Sequence, residues 1–219
     1  MTTKGNGLNV RRFQYRHARE MAQAWRLRNE VFRQRKGWPI PAMYGLEMDH
    51  LDKVAEHLGV FLGDQLVAYL RLLRCDGHTL WADSFPQFLV SLPCPPALAW
   101  EASRFAVADI GRLSTSAARL LVRQGLALGQ ALGAELLLAV TEPDFALFLR
   151  RSGVPLDDLV APQVVGHSIQ GPVRALLVST RLPANSSCQL RHFPLPAAGP
   201  ARREAAALRL ACRLPSKAA

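Results

Sequence analysis

The stretch WEASRFAV, residues 100–107, sets Glu101, Ser103 and Arg104 into a run that otherwise reads as a β-strand. An unpaired buried charge costs several kcal/mol, on the order of a small domain's stability, so a strand that carries these groups needs a use for them. Their types are those of proton transfer and polar substrate binding. Strand alternation puts Glu101, Ser103 and Phe105 on one face and Trp100, Ala102 and Arg104 on the other, with Glu101 and Ser103 about 7 Å apart. Arg104 therefore points away from Glu101, and either a bulge re-aims it or it braces other acids from behind.

Similar intrusions occur elsewhere. Arg71 lies among leucines in LVAYLRLLR, and Arg28 interrupts the apolar face of the first helix. Asp49 and Asp52 end a long segment with no period. With Glu101 and Arg104 these make three acids and three bases, a set able to neutralise itself. A buried network that only ties a loop to a sheet would explain any one of them alone.

The elements that must position these groups follow from periodicity. Residues 8–15 read as a strand, and residues 17–35 as one helix with Met21, Trp25, Arg28 and Phe32 on one face. GWPIPAMYGLEMDHLD reads as a long loop of a kind often functional. HLGVFL and LVAYLRLLR flank GDQ as a hairpin, and residues 113–132 form a helix that leads into the strand ELLLAV. PDFALFLRRSG is a helix opened by proline and closed by glycine, and VVGHSI and VRALLVST make a last hairpin. The order predicts an α/β fold: a single three-layer α-β-α sandwich around a mixed, mostly antiparallel sheet, spanning residues 1–183. Residues 184–219 turn to Pro, Ala, Ser and Arg, which predicts a poorly ordered basic tail with one possible helix across 201–214.

The formal charge of +10 favours acidic partners, and six basic side chains against Glu204 give the tail +5 of it. No zinc-finger spacing, helix-turn-helix or aromatic–basic RNA-reading motif accompanies that charge, which argues against nucleic acid. The four cysteines are far apart and the histidines show no ligand spacing, so no metal site or disulfide framework is expected. The first residues lack a signal-peptide core, and the most apolar run, residues 136–140, is too short for a bilayer. A cytoplasmic location without membrane insertion is the expectation.

Taken in order, Arg28, Val31–Phe32, Trp38, Asp49, Asp52, Arg71, Phe85–Pro86 and E-x-S-R-F at 101–105 resemble the pattern of the acyl-homoserine-lactone synthases, the autoinducer synthases of bacterial quorum sensing. The resemblance covers residues 8–181 and implies a fold similar to GNAT-type N-acyltransferases. It also implies the reaction: S-adenosylmethionine is N-acylated from an acyl thioester on acyl carrier protein or coenzyme A. The substrate carboxylate then closes on the γ-carbon, releasing methylthioadenosine. No cofactor is implied.

Within that reaction Glu101 is the candidate base for the amine, and Ser103 a candidate to orient the acyl carbonyl. Phe32 and Trp38 suit the sulfonium by cation–π attraction. Arg28 or Arg71 suits the carboxylate, and Asp49 or Asp52 suits the ammonium or orients the arginines. Phe85, Arg104 and Phe105 belong to the same pattern, with Arg104 bracing more than reacting. Leu138, Val140, Phe145, Phe148, Leu149 and Leu176 are candidates for an acyl slot, each equally explicable as core. Thr141 stands where the family often places a residue beside the third acyl carbon, a hint of an oxygenated chain.

The nearest rival is an acyl-CoA-dependent N-acyltransferase acting on another amine. Its fold uses a glycine-rich phosphate cradle, whereas VADIGRLSTSAARLL offers a single Gly111. That favours a carrier-protein donor, whose acidity suits this chain's charge.

Overall fold

The computed structural model describes residues 7–183, so the expected tail and its helix lie outside the described residues. Among the described residues, seven strands form one sheet in the order β1-β2-β3-β4-β5-β7-β6. They are β1 (Leu8–Phe13), β2 (Glu56–Leu62), β3 (Gln65–Arg74), β4 (Ala99–Val107), β5 (Leu136–Thr141), β6 (Asp157–Ser168) and β7 (Gly171–Arg181). Only the β4–β5 pair is parallel; every other neighbour pair is antiparallel. β2 and β3 are buried along nearly their whole length, which explains their continuous apolar reading, and Gly63 at φ +61° supplies the left-handed residue of their turn.

Helices cover both faces. α1 (Ala18–Arg28) buries Met21, Ala24, Trp25 and Arg28. α3 (Leu113–Ala131) turns Ala117, Leu121, Gly125 and Leu128 inward and leaves Arg119 and Arg123 exposed. α4 (Pro143–Arg151) opens at its proline, and Gly153 at φ +86° follows its end. The three-layer mixed-sheet architecture expected from the sequence is the one observed.

Three local readings differ. The first helix is not α-helical throughout: from Asn29 to Arg35 it widens into a π-helix, with Lys36 N–H reaching Val31 O. Such widening inserts an extra residue per turn and concentrates at functional sites. A short helix, α2 (Leu80–Ser84), escaped periodicity because five residues cannot show a 3.6-residue repeat, although Thr79 caps it by accepting the Ala82 N–H at 3.1 Å. β6 begins at Asp157, seven residues earlier than VVGHSI suggests, because an exposed, bulged edge strand lacks the apolar alternation of a covered one.

Candidate active site

The charged residues converge, with one member exchanged. Arg28 is fully buried and donates from Nε to Glu47 at 2.5 Å and from Nη1 to Asp52 at 2.6 Å. Arg71, also without side-chain exposure, donates from Nη1 to Asp49 at 2.5 Å and Asp52 at 2.8 Å, and from Nε to Ser103 Oγ at 3.1 Å. Arg104 reaches Glu47 at 3.1 Å and Asp49 at 3.2 Å. Three guanidiniums thus meet three carboxylates, and the third is Glu47, which sequence reasoning missed. Its signal was available: Glu47 sits two residues before Asp49 in LEMDHLD, in extended chain that turns alternate residues the same way.

The segment carrying these acids is held from several sides. Asp49 and Asp52 form a reciprocal capping box at the turn His50–Lys53, and Trp25 Nε1 donates to Asp52 at 2.9 Å. Burial works against the charge of Asp52, but Arg28 and Arg71 outweigh it and hold its carboxyl near 2.

Glu101 stands outside this pairing. Its Oε1 accepts the Trp81 N–H at 3.1 Å, while Oε2 is buried with no hydrogen-bond partner among the described residues. Burial pushes its carboxyl up to about 7, only partly countered by the Trp81 N–H and by Arg71. Since Glu47 already neutralises the arginines, Glu101 is a carboxyl poised between its two protonation states at physiological pH. That is the state a general base needs.

β4 resolves the direction of Arg104. Ser103 pairs with Arg71 and Ala106 with Tyr69, so Leu70 alone spans both Arg104 and Phe105. Arg104 takes φ +57°, a left-handed conformation that is uncommon for a side chain of its size. The bulge turns Arg104 toward the Asp49 segment and sends Phe105 to the opposite face, where its ring lies 4.6 Å from Phe145 of α4. Simple alternation had placed these two the other way round. Both alternatives left open by sequence hold at once: a bulge re-aims Arg104 and Arg104 braces the acids, and its side chain also lines the cleft.

β4 and β5 pair only between residues 99–101 and 136–138, then diverge. The gap opens into a cleft of about 330 Å³ whose wall includes Phe32, Trp38, Phe85, Ser103, Arg104, Phe105, Val140 and Thr141. Trp38 N–H bonds back to Phe32 O at the end of the π-helix, bringing the two rings into a stack at 5.2 Å and 11°. Lys36 lies over Trp38 and pairs with Glu142 across the cleft mouth. Arg28, Asp49, Asp52, Arg71 and Glu101 do not line this cleft; Arg104 does, and it ties the cleft wall to the partly exposed Asp49.

A second, wholly apolar void of about 80 Å³ adjoins the cleft through Ala102, Phe105, Ala139 and Phe145. Leu138 and Leu149 line it, Phe145 lines both spaces, Val140 faces the cleft, and Phe148 stands at its outer mouth. Leu176 lines none of these spaces. It packs with Val178 against Ala146 of α4 and is core, since its strand neighbour Thr141 already ends β5 at the cleft.

Behind the lattice His57 bridges Tyr69 OH at 2.7 Å and the Asp52 carbonyl at 2.9 Å. Burial drives its ring down to about 4, against an ordinary value of 6.5. Between those values the unfolded chain binds a proton that the folded chain refuses, so stability falls as pH drops through this window, by up to about 3 kcal/mol. Glu101 shifts the opposite way over the same range, so the loss is read in Glu101→Gln, whose thermal melts at pH 7.5 and 4.5 are expected to show it; a flat profile there would place His57 in contact with water.

Residues 12–184 match the sequence profile described as autoinducer synthase. An acyl-homoserine-lactone synthase of Rhizobium radiobacter is 31% identical over 173 residues, covering 74% of this chain and 81% of the relative. One of Aeromonas hydrophila is 30% identical over 65% of this chain and 72% of its own length. Among solved structures, the synthase LasI superposes with a TM-score of 0.71 at 21% identity, covering 82% of this chain and 92% of LasI. BjaI, described as a CoA-dependent acyl-homoserine lactone synthase with SAM and isopentyl-CoA, superposes at 0.69 with 20% identity over 81% of this chain and 84% of BjaI. The chain belongs to the autoinducer synthase family, and its activity is that of an acyl-homoserine-lactone synthase, an acyltransferase.

Proposed function

We propose that the chain acylates S-adenosylmethionine in the cleft between β4 and β5 and then lactonises it, using an acyl group delivered on a carrier protein. The observation that carries this reading is the buried carboxyl of Glu101, its Oε2 unbonded among the described residues, beside an ion lattice in which three other carboxylates meet the three guanidiniums. The Phe32–Trp38 stack offers aromatic faces to the sulfonium. Arg104 offers a cation to the substrate carboxylate, and Asp49 an anion to its ammonium. Arg28, Asp52 and Arg71 act behind them by fixing both in place.

The thioester lies in the strand gap with its carbonyl near Ser103 and its chain toward the apolar void. Glu101 lies one rung behind Ser103 on the same face and takes the amine proton through a bridging water. The amine nitrogen bonds to the acyl carbon and the donor leaves as its thiol. A carboxylate oxygen then attacks the γ-carbon, the carbon–sulfur bond breaks, and methylthioadenosine departs as a neutral thioether. The sulfonium supplies the driving force of this second step, so the protein's part is to hold the reacting atoms in line.

The carrier-protein preference rests on the turn before α3. Ile110 N–H is already bonded to Ser114 Oγ at 2.9 Å, and Gly111 N–H to Asp109 Oδ1 at 3.2 Å. A pyrophosphate would have to displace these bonds and approach the Asp109 carboxylate. Purified protein is expected to use octanoyl carrier protein with a kcat/KM at least about tenfold above that for octanoyl-CoA; the reverse order would overturn the donor assignment. Trp38→Ala is expected to raise the KM for S-adenosylmethionine about tenfold while moving the melting temperature little. A large loss of stability with unchanged KM would make Trp38 a packing residue.

A further inference from the structure

The interior of α3 carries a glycine that costs the helix about 1 kcal/mol relative to alanine. Gly125 is buried, and a Cβ placed there would meet only the Leu70 Cδ2, at 2.5 Å. Both residues line the apolar void. We propose that Gly125 and Leu70 together set the depth of the acyl chamber and make the enzyme selective for chains of about eight to eleven carbons, counted from the void volume below. The inference rests on the acyl-thioester reading above and names the substrate class within it.

The wall residues support this division of space. Ala102, Phe105, Ala139 and Phe145 belong to both cleft and void, so they form the passage between them. Leu70, Val122, Gly125 and Leu126 belong to the void alone and lie beyond that passage, where α3 crosses β3. No polar surface lines the void, which suits an alkyl chain and nothing more polar. A void takes one water-sized group per roughly 10–15 Å³, so about 80 Å³ holds about five to eight methylene-sized groups. The carbonyl and the first two carbons after it remain in the cleft between Ser103 and Thr141, which gives the stated length.

Leu70 occupies the room that the missing side chain of residue 125 leaves. A methyl group at 125 drives the Leu70 side chain into the void and removes about one carbon's worth of depth.

Initial rates with hexanoyl, octanoyl, decanoyl and dodecanoyl carrier-protein thioesters test the assignment on the full chain. The wild type is expected to peak at octanoyl or decanoyl. Gly125→Ala should lower the ratio of decanoyl to hexanoyl kcat/KM about tenfold, in the range expected for one methylene in an apolar pocket. Leu70→Ala should move the ratio the other way by enlarging the chamber, and it serves as the test if Gly125→Ala does not fold. The KM for S-adenosylmethionine should stay constant, since that substrate binds on the far side of Phe105. An active wild type with its peak at hexanoyl or dodecanoyl, or variants with unchanged ratios, would overturn the chain-length assignment alone. A folded wild type that makes no lactone from any of the four would overturn the parent reading, and this inference with it.

Discussion

Glu101→Gln is expected to abolish measurable turnover and at the same time to stabilise the protein. Volume and the bond to Trp81 N–H are kept, because the amide oxygen can still accept it. Proton-accepting power is lost, which costs a factor of about 10²–10⁴ for a general base. The stability change runs the other way. The folded-state carboxyl sits near 7 against an ordinary value near 4.5, so folding binds a proton more tightly than the unfolded chain does. Ionised Glu101 therefore weakens the fold progressively as pH rises from about 4.5 to 7, by up to about 3 kcal/mol above that window. The amide carries no such penalty. Melting curves at pH 8 should show the variant above wild type, and kcat/KM of the wild type should climb through pH 7 to a plateau. A folded variant with full activity removes Glu101 from proton transfer; an inactive one that also melts lower at pH 8 makes it a structural acid.

Asp52→Ala should damage the protein more than any substitution at the cleft wall. The carboxylate answers two fully buried guanidiniums at once and receives Trp25 Nε1 and its own capping bond from Asp49 N–H. Its removal strands Arg28 and Arg71 with one acid fewer, and breaking a buried pair in this way costs about 3–5 kcal/mol. That is a large share of the roughly 5–15 kcal/mol holding a typical domain. Soluble yield should collapse or the denaturation midpoint fall steeply. A variant as stable as wild type but inactive would instead make Asp52 a direct substrate ligand.

How much of this was visible in the residue string depends on the physical range of each signal. Strands with continuous or alternating apolar residues, and the long amphipathic α3, were legible because burial writes itself at a fixed period. The ion lattice was half legible: charges inside apolar runs flagged Arg71 and Glu101, but which acid answers which base is set by tertiary approach. Hence Glu101 was grouped with the arginines although Glu47 holds that place. The bulge at Arg104 leaves no trace in composition, since a left-handed arginine is stabilised by partners far along the chain. The apolar residues around the void remained ambiguous for the same reason: a slot and a core draw on one alphabet. Leu176 packs in the core, whereas Leu138 and Leu149 line the apolar void.

One inserted residue in β4 lets consecutive positions serve opposite needs, with Arg104 handed to the ionic compartment and Phe105 to the hydrocarbon one. The apolar and ionic linings are thereby set by separate neighbouring positions. Substitutions at Phe105 and its companions on α3 and α4 reshape the apolar side while the ionic side keeps its partners. Deleting a residue between 103 and 106 would transpose the two compartments in one stroke, which makes this short segment far less tolerant of length change than of substitution.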